Sequence, residues 1–132
     1  MQNISMTEIR GTWLLESFDI EGLDKKIAPW GSNARGLLIY ADTGHMSVSI
    51  NRDLTAKSTV DAENIFDSIL FYSGTYRVEG NTITHQVTNA SNPARIGKQM
   101  LRYASLDGDL FTVASPLESF GRAILKWRRV KL

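Results

Sequence analysis

The chain has 132 residues, of which 42% are apolar and 22% are charged, a composition typical of one globular domain with a single hydrophobic core. Fifteen Lys and Arg against fourteen Asp and Glu give a net charge of +1, which excludes nucleic-acid binding through a positive field over the whole chain. With no cysteine and only two histidines, the chain excludes disulfide scaffolds, thiolate metal sites, thiol catalysis and multi-histidine metal centres.

The N-terminal segment carries no sign of export. Residues 1–10 are polar and lack the apolar run of a secretory signal. No stretch approaches the ~20 apolar residues that a membrane span requires. We therefore expect residues 1–132 to form one domain in the cytoplasm, with no membrane span.

Short β segments separated by turn residues dominate the chain. Asp107-Gly108, between two such segments, is a strong cue for a hairpin. The eight predicted strands are Gly11–Ile20, Gly36–Ala41, His45–Asn51, Tyr72–Val78, Thr82–Thr88, Gln99–Leu106, Leu110–Ala114 and Ala123–Val130.

One segment has the periodicity of a helix. In Val60–Leu70 the apolar residues recur at spacings of three and four, which places them on one helical face. Asp61 and Glu63 suit the first turn, where the helix dipole favours negative charge. We predict one short helix at about 60–70.

Hairpin connections between consecutive strands favour an up-and-down barrel, which leaves no exposed edge. The predicted fold is therefore all-β, an eight- to ten-stranded antiparallel barrel with the helix closing one end. Eight strands enclose room for packed side chains or for one small ligand.

Motifs in order along residues 10–130 resemble those of the lipocalin-like domain family, the small single-domain barrels of calycin type found in bacteria and fungi. The motifs are Gly11-Thr12-Trp13, Gly36 to Tyr40, Gly44-His45-Met46-Ser47, Tyr72 with Gly74-Thr75-Tyr76, Thr84-His85, Pro93 with Gly97, Gln99 with Arg102, Leu106 to Leu110, and Trp127 with Arg129.

The resemblance implies a barrel with an internal pocket. It also implies that Arg129, in the last strand, crosses the ring of Trp13 and closes one end of the barrel. Some relatives act without a cofactor, as isomerases or cyclases on natural-product intermediates.

Three tyrosines are candidates for the pocket wall. Tyr72 and Tyr76 share one strand face because side chains alternate with period two, and Gly74 between them predicts a notch between two aromatic walls. Tyr40 lies on another central strand. The alternative is that all three are ordinary core aromatics whose hydroxyls reach a backbone group or the barrel mouth.

His85 and Arg102 are the charged or titratable candidates. His85 is in phase with Ile83 and Val87, so it needs a polar partner on an apolar face; it would orient a ligand, shuttle a proton or be a satisfied core histidine. The family match favours an inward Arg102, where its charge needs a partner. A β-bulge would invert that phase.

Two hypotheses share these residues. The first is an intracellular barrel that binds a small, mainly apolar or aromatic molecule through Tyr40, Tyr72, Tyr76, His85 and Arg102. The alternative is a cofactor-independent isomerase or cyclase in the same pocket, with His85, Tyr76 and Arg102 as catalytic candidates. Neither hypothesis requires a cofactor or a metal, and no nucleic-acid partner is expected, since no stacking platform accompanies the basic residues. Whether the chain forms a homodimer stays open.

Overall fold

The computed structural model describes residues 3–22, 26–27, 31, 33–52, 69–118 and 121–131. The helix predicted at about 60–70 therefore lies outside the described residues, except for its last two positions. Those two, Ile69 and Leu70, begin a strand.

The described strands form one antiparallel sheet that closes on itself and, apart from one two-residue strand, follows chain order. They are β1 Gly11–Glu21, β2 Lys26–Ile27, β3 Arg35–Tyr40, β4 His45–Asn51, β5 Ile69–Glu79, β6 Thr82–Ala90, β7 Gln99–Asp107, β8 Leu110–Ala114 and β9 Arg122–Arg129. Pairing of β1 with both β3 and β9 closes an eight-stranded barrel, and the two-residue β2 adds to β1. The predicted barrel is confirmed.

Turn residues and alternation explain why these segments form hairpins. Gly80 and Gly108, in the β5–β6 and β7–β8 turns, have φ of +61° and +58°. Residues other than glycine adopt this backbone conformation only at a cost in free energy. Along β4 every second residue is buried, so Met46, Val48 and Ile50 face the interior.

A short helix that the sequence analysis missed covers one end of the barrel. Helix α1, Met6–Ile9, begins with a capping box in which the Ser5 and Glu8 side chains bond each other's backbone N–H. Ile9 is fully buried. No helix in the described part of the chain is long and apolar enough to cross a membrane.

A register shift between β5 and β6 corrects the interpretation of Gly74. The shift lies between Ser73 and Gly74. A Cβ atom on Gly74 would lie 1.8 Å from the carbonyl oxygen of Gln86 on β6. Glycine is required there because the two backbones approach closely. The predicted notch for a ligand is therefore filled by the β6 backbone.

Candidate functional site

The barrel encloses a cavity of about 360 Å³. Its wall is mostly apolar, from the inward faces of the strands. The apolar lining residues are Phe18, Ile20, Leu38, Val48, Ile50, Leu70, Met100, Val113, Pro116, Ala123, Leu125 and Trp127. The polar ones are Tyr40, Tyr72, His85, Arg95, Arg102, Ser115 and Glu118.

Three buried side chains form a hydrogen-bonded network in the cavity wall. The Tyr40 hydroxyl lies 2.6 Å from His85 Nε2, and the Tyr72 hydroxyl lies 2.6 Å from His85 Nδ1. Each of the three is at most 3% exposed. Strands β3, β5 and β6 hold them, so the polar partner that His85 needs is supplied by both tyrosines.

Burial fixes the protonation of this network. It lowers the pKa of His85 to about 3, with a further lowering by the positive charge of Arg102. Burial raises the pKa of the Tyr40 and Tyr72 hydroxyls, although Arg102 opposes part of the rise. At neutral pH the network is uncharged: a neutral imidazole between two protonated phenols.

Arg102 is a cation on the cavity wall beside this network, as is Arg95. The β6–β7 register runs without a shift through Ile83 and Arg102, so no bulge inverts its phase, and its side chain lines the cavity. Its Nη1 donates to the carbonyl of Leu101 at 2.7 Å. Among the described residues no carboxylate lies within 4.0 Å of its guanidinium.

Tyr76 is the predicted site residue that the structure places elsewhere. It does not line the cavity. Its hydroxyl donates to the carbonyl of Ala41 at 2.8 Å, and its ring packs against Tyr40 with centroids 4.7 Å apart. Four of the five predicted residues therefore line one cavity. The fifth, Tyr76, packs against the ring of Tyr40 outside the cavity wall.

Three polar lining residues were missed by the sequence analysis: Arg95, Ser115 and Glu118. Arg95 ends a 3-10 turn, Pro93–Arg95, whose N-cap is Asn92. The Asn92-Pro93 pair signals such a turn. Nothing in the local sequence indicates that this turn brings Arg95 to the cavity.

The closed end of the barrel is structurally distinct from the cavity. The Arg129 Cζ lies 4.2 Å from the Trp13 ring centroid, and its two terminal nitrogens donate to the carbonyls of Arg10 and Glu8. Trp13 Nε1 donates to the Ile9 carbonyl at 3.0 Å. Arg129 thus joins the last strand to α1 and β1.

The part of the chain that the structure describes contains no group of three or more His, Asp and Glu side chains able to hold a metal ion. The polar groups of the cavity are instead hydroxyls, an imidazole, two guanidinium groups and one carboxylate.

Comparison with known proteins identifies a similar solved structure and a matching family model. One solved structure that is similar is a crystal structure of a mutant of the fluorescent protein UnaG. It has 11% sequence identity and a TM-score of 0.46, and the alignment covers 96% of this chain and 99% of that one. No curated protein matches the chain. The family model described as a lipocalin-like domain matches residues 10–130. The chain belongs to the lipocalin-like domain family.

Proposed function

We propose that the barrel binds a small, mainly apolar or aromatic molecule in its internal cavity. The observation that carries this proposal is the cavity of about 360 Å³ with apolar walls and one cluster of polar groups. Small-molecule sites in proteins have this character: concave, mostly apolar, with a few polar groups that orient the ligand.

The polar cluster supports a role in orienting a ligand. Tyr40, Tyr72 and His85 hold one another in fixed positions, so their hydroxyl and imidazole groups lose no further freedom on binding. Aromatic side chains in the same wall, including Trp127, offer flat surfaces to an aromatic ligand.

The state of His85 favours binding over the isomerase or cyclase alternative. A general base works best with a pKa near the ambient pH, whereas burial lowers the pKa of His85 to about 3. Both ring nitrogens are also engaged by tyrosines. This imidazole is therefore suited to fixing two hydroxyls rather than to carrying a proton.

The proposal includes a location in the cytoplasm. The chain has no cysteine, so its fold does not depend on an oxidising compartment.

Titration with N-phenyl-1-naphthylamine, a neutral apolar dye that fluoresces when shielded from water, tests the proposal. We expect saturable binding of one dye per wild-type chain. Ala123→Trp places a large side chain in the cavity, so we expect it to weaken binding at least about tenfold. Ile124→Trp is the matched control, because Ile124 neighbours Ala123 on β9 but does not line the cavity. Unsaturable binding, or equal binding by both variants, would contradict the proposal.

A further inference from the structure

One hydroxyl proton of the buried network has no acceptor among the three side chains that form it. A neutral imidazole has one N–H and one lone pair. His85 faces a tyrosine hydroxyl on each nitrogen, so it accepts from one hydroxyl and donates to the other. The hydroxyl that accepts from the ring still carries its own O–H, which must donate to another acceptor.

The charge of Arg102 indicates which tyrosine hydroxyl donates to His85 and which one lacks an acceptor in the network. Arg102 and Tyr72 line the same cavity; burial raises the pKa of the Tyr72 hydroxyl, and the positive charge of Arg102 opposes part of this rise. A guanidinium carries a positive charge and only donors, so a nearby phenol hydroxyl turns its proton away from it. We therefore expect the Tyr72 O–H to point at Nδ1.

This orientation of Tyr72 determines where the protons lie at the Tyr40 end of the network. With Nδ1 accepting, the ring carries its proton on Nε2 and donates it to the Tyr40 oxygen. The O–H of Tyr40 is left over. Tyr40 lines the cavity, and the described part of the chain supplies its hydroxyl with no hydrogen-bond partner besides His85.

Arg102 brings further unused donors to the same cavity. Of its five N–H groups, one donates to the Leu101 carbonyl, and no carboxylate of the described residues pairs with it. Partial burial of a guanidinium that has no anionic partner carries a desolvation cost. An anionic acceptor would satisfy both it and Tyr40.

We infer that the ligand is an organic anion, with an apolar body in the barrel and a charged oxygen group, such as a carboxylate or sulfonate, between Arg102 and the Tyr40 hydroxyl. This inference rests on the proposed function and specifies its ligand class. The other charges on the cavity wall are Arg95 and Glu118. Two cations against one carboxylate leave the cavity positive, in a chain whose net charge is only +1.

A matched pair of dyes tests the charge requirement. 8-Anilino-1-naphthalenesulfonate has the same aromatic skeleton as N-phenyl-1-naphthylamine with one sulfonate added. We expect wild-type protein to bind the sulfonate at least about tenfold more tightly than the neutral dye. Arg102→Met should abolish this difference, and Tyr40→Phe should reduce it by about threefold or more. Arg77→Met, an exposed arginine on β5, is the matched control and should leave the difference unchanged.

The outcomes separate this inference from the proposed function. If Ala123→Trp weakens both dyes, but the wild type shows no preference for the sulfonate or Arg102→Met preserves that preference, the anion inference is overturned and cavity binding stands. If Ala123→Trp weakens neither dye, both are overturned.

Long-range ¹H–¹⁵N NMR correlations of the His85 ring test the proton count without a variant. We expect a pyrrole-type shift for Nε2 and a pyridine-type shift for Nδ1. The opposite pattern would mean that Tyr40 donates to the ring, and it would overturn the assignment of a free Tyr40 proton.

Discussion

The guanidinium of Arg129 lies over the ring of Trp13 at the closed end of the barrel, with its Cζ 4.2 Å from the ring centroid. The two residues are direct partners in the β1–β9 register, the pairing that closes the barrel. Trp13 is fully buried and also packs against Phe111, with centroids 5.0 Å apart. The Trp13 side chain therefore takes part both in the strand pairing that closes the barrel and in the packing of the core.

Trp13→Ala should lower the free energy of unfolding by about 3–5 kcal/mol, because it removes a fully buried ring and the cross-strand contact of Arg129. Chemical denaturation measures this loss. Leu14→Ala is the control: Leu14 is 52% exposed, and its truncation should cost less than about 1 kcal/mol. Equal losses in the two variants would contradict the role assigned to Trp13.

Gly74→Ala should destabilise the barrel by at least about 1–3 kcal/mol, because the new Cβ would collide with the Gln86 carbonyl and force β5 and β6 apart. Thermal or chemical unfolding measures the effect. Ser73→Ala, one residue away on the same strand, is the matched control and should cost little. A neutral Gly74→Ala would show that the strands adjust freely at the register shift.

The barrel itself could be predicted from the sequence because its signals are local. Asp107-Gly108 fixes a hairpin without reference to the rest of the chain, and the resulting β7–β8 turn lies where it was expected. The inward face of Arg102, which the family resemblance favoured, agrees with period-two alternation because β7 has no register shift against β6 or β8.

The remaining site features depend on contacts between distant segments. The close approach of Gln86 to Gly74 is set by a register shift that no local pattern encodes. The Tyr76 hydroxyl finds a backbone carbonyl 35 residues away, so alternation gave the correct face but not the partner. Helix α1 did carry a local signal, the Ser5 and Glu8 capping box, which the sequence analysis did not use.

Protonation of His85 should make the barrel less stable in acid. The unfolded chain binds a proton at this residue below pH ~6.5, whereas burial lowers the pKa in the folded state to about 3. Its stabilising contribution is therefore complete above pH ~6.5 and is lost as the pH falls toward 3, by up to about 1.4 kcal/mol per pH unit.

Denaturant unfolding of wild type and His85→Gln across this pH range isolates that contribution, because every other ionisable group is common to both proteins. The stability advantage of the wild type should shrink steadily as the pH falls. Two parallel stability curves would show that His85 does not hold a lowered pKa.

Tyr76→Phe should lower stability by about 1 kcal/mol, through loss of the hydrogen bond to the Ala41 carbonyl. It should leave the affinity for N-phenyl-1-naphthylamine within twofold of wild type, because Tyr76 does not line the cavity. Unfolding and dye titration of the same preparation measure both effects. A tenfold loss of dye affinity would place Tyr76 in the binding site after all.

Binding of a small molecule inside the barrel can be observed through intermolecular NOEs between N-phenyl-1-naphthylamine and the methyl groups of the protein. Leu38, Val48 and Val113 face the cavity, whereas Leu14 and Leu37 lie exposed on the outer surface. We predict NOEs from the dye to the three inward side chains and none to the two outward ones. NOEs confined to Leu14 and Leu37 would mean that the dye binds the outside of the barrel, and they would contradict binding in the cavity.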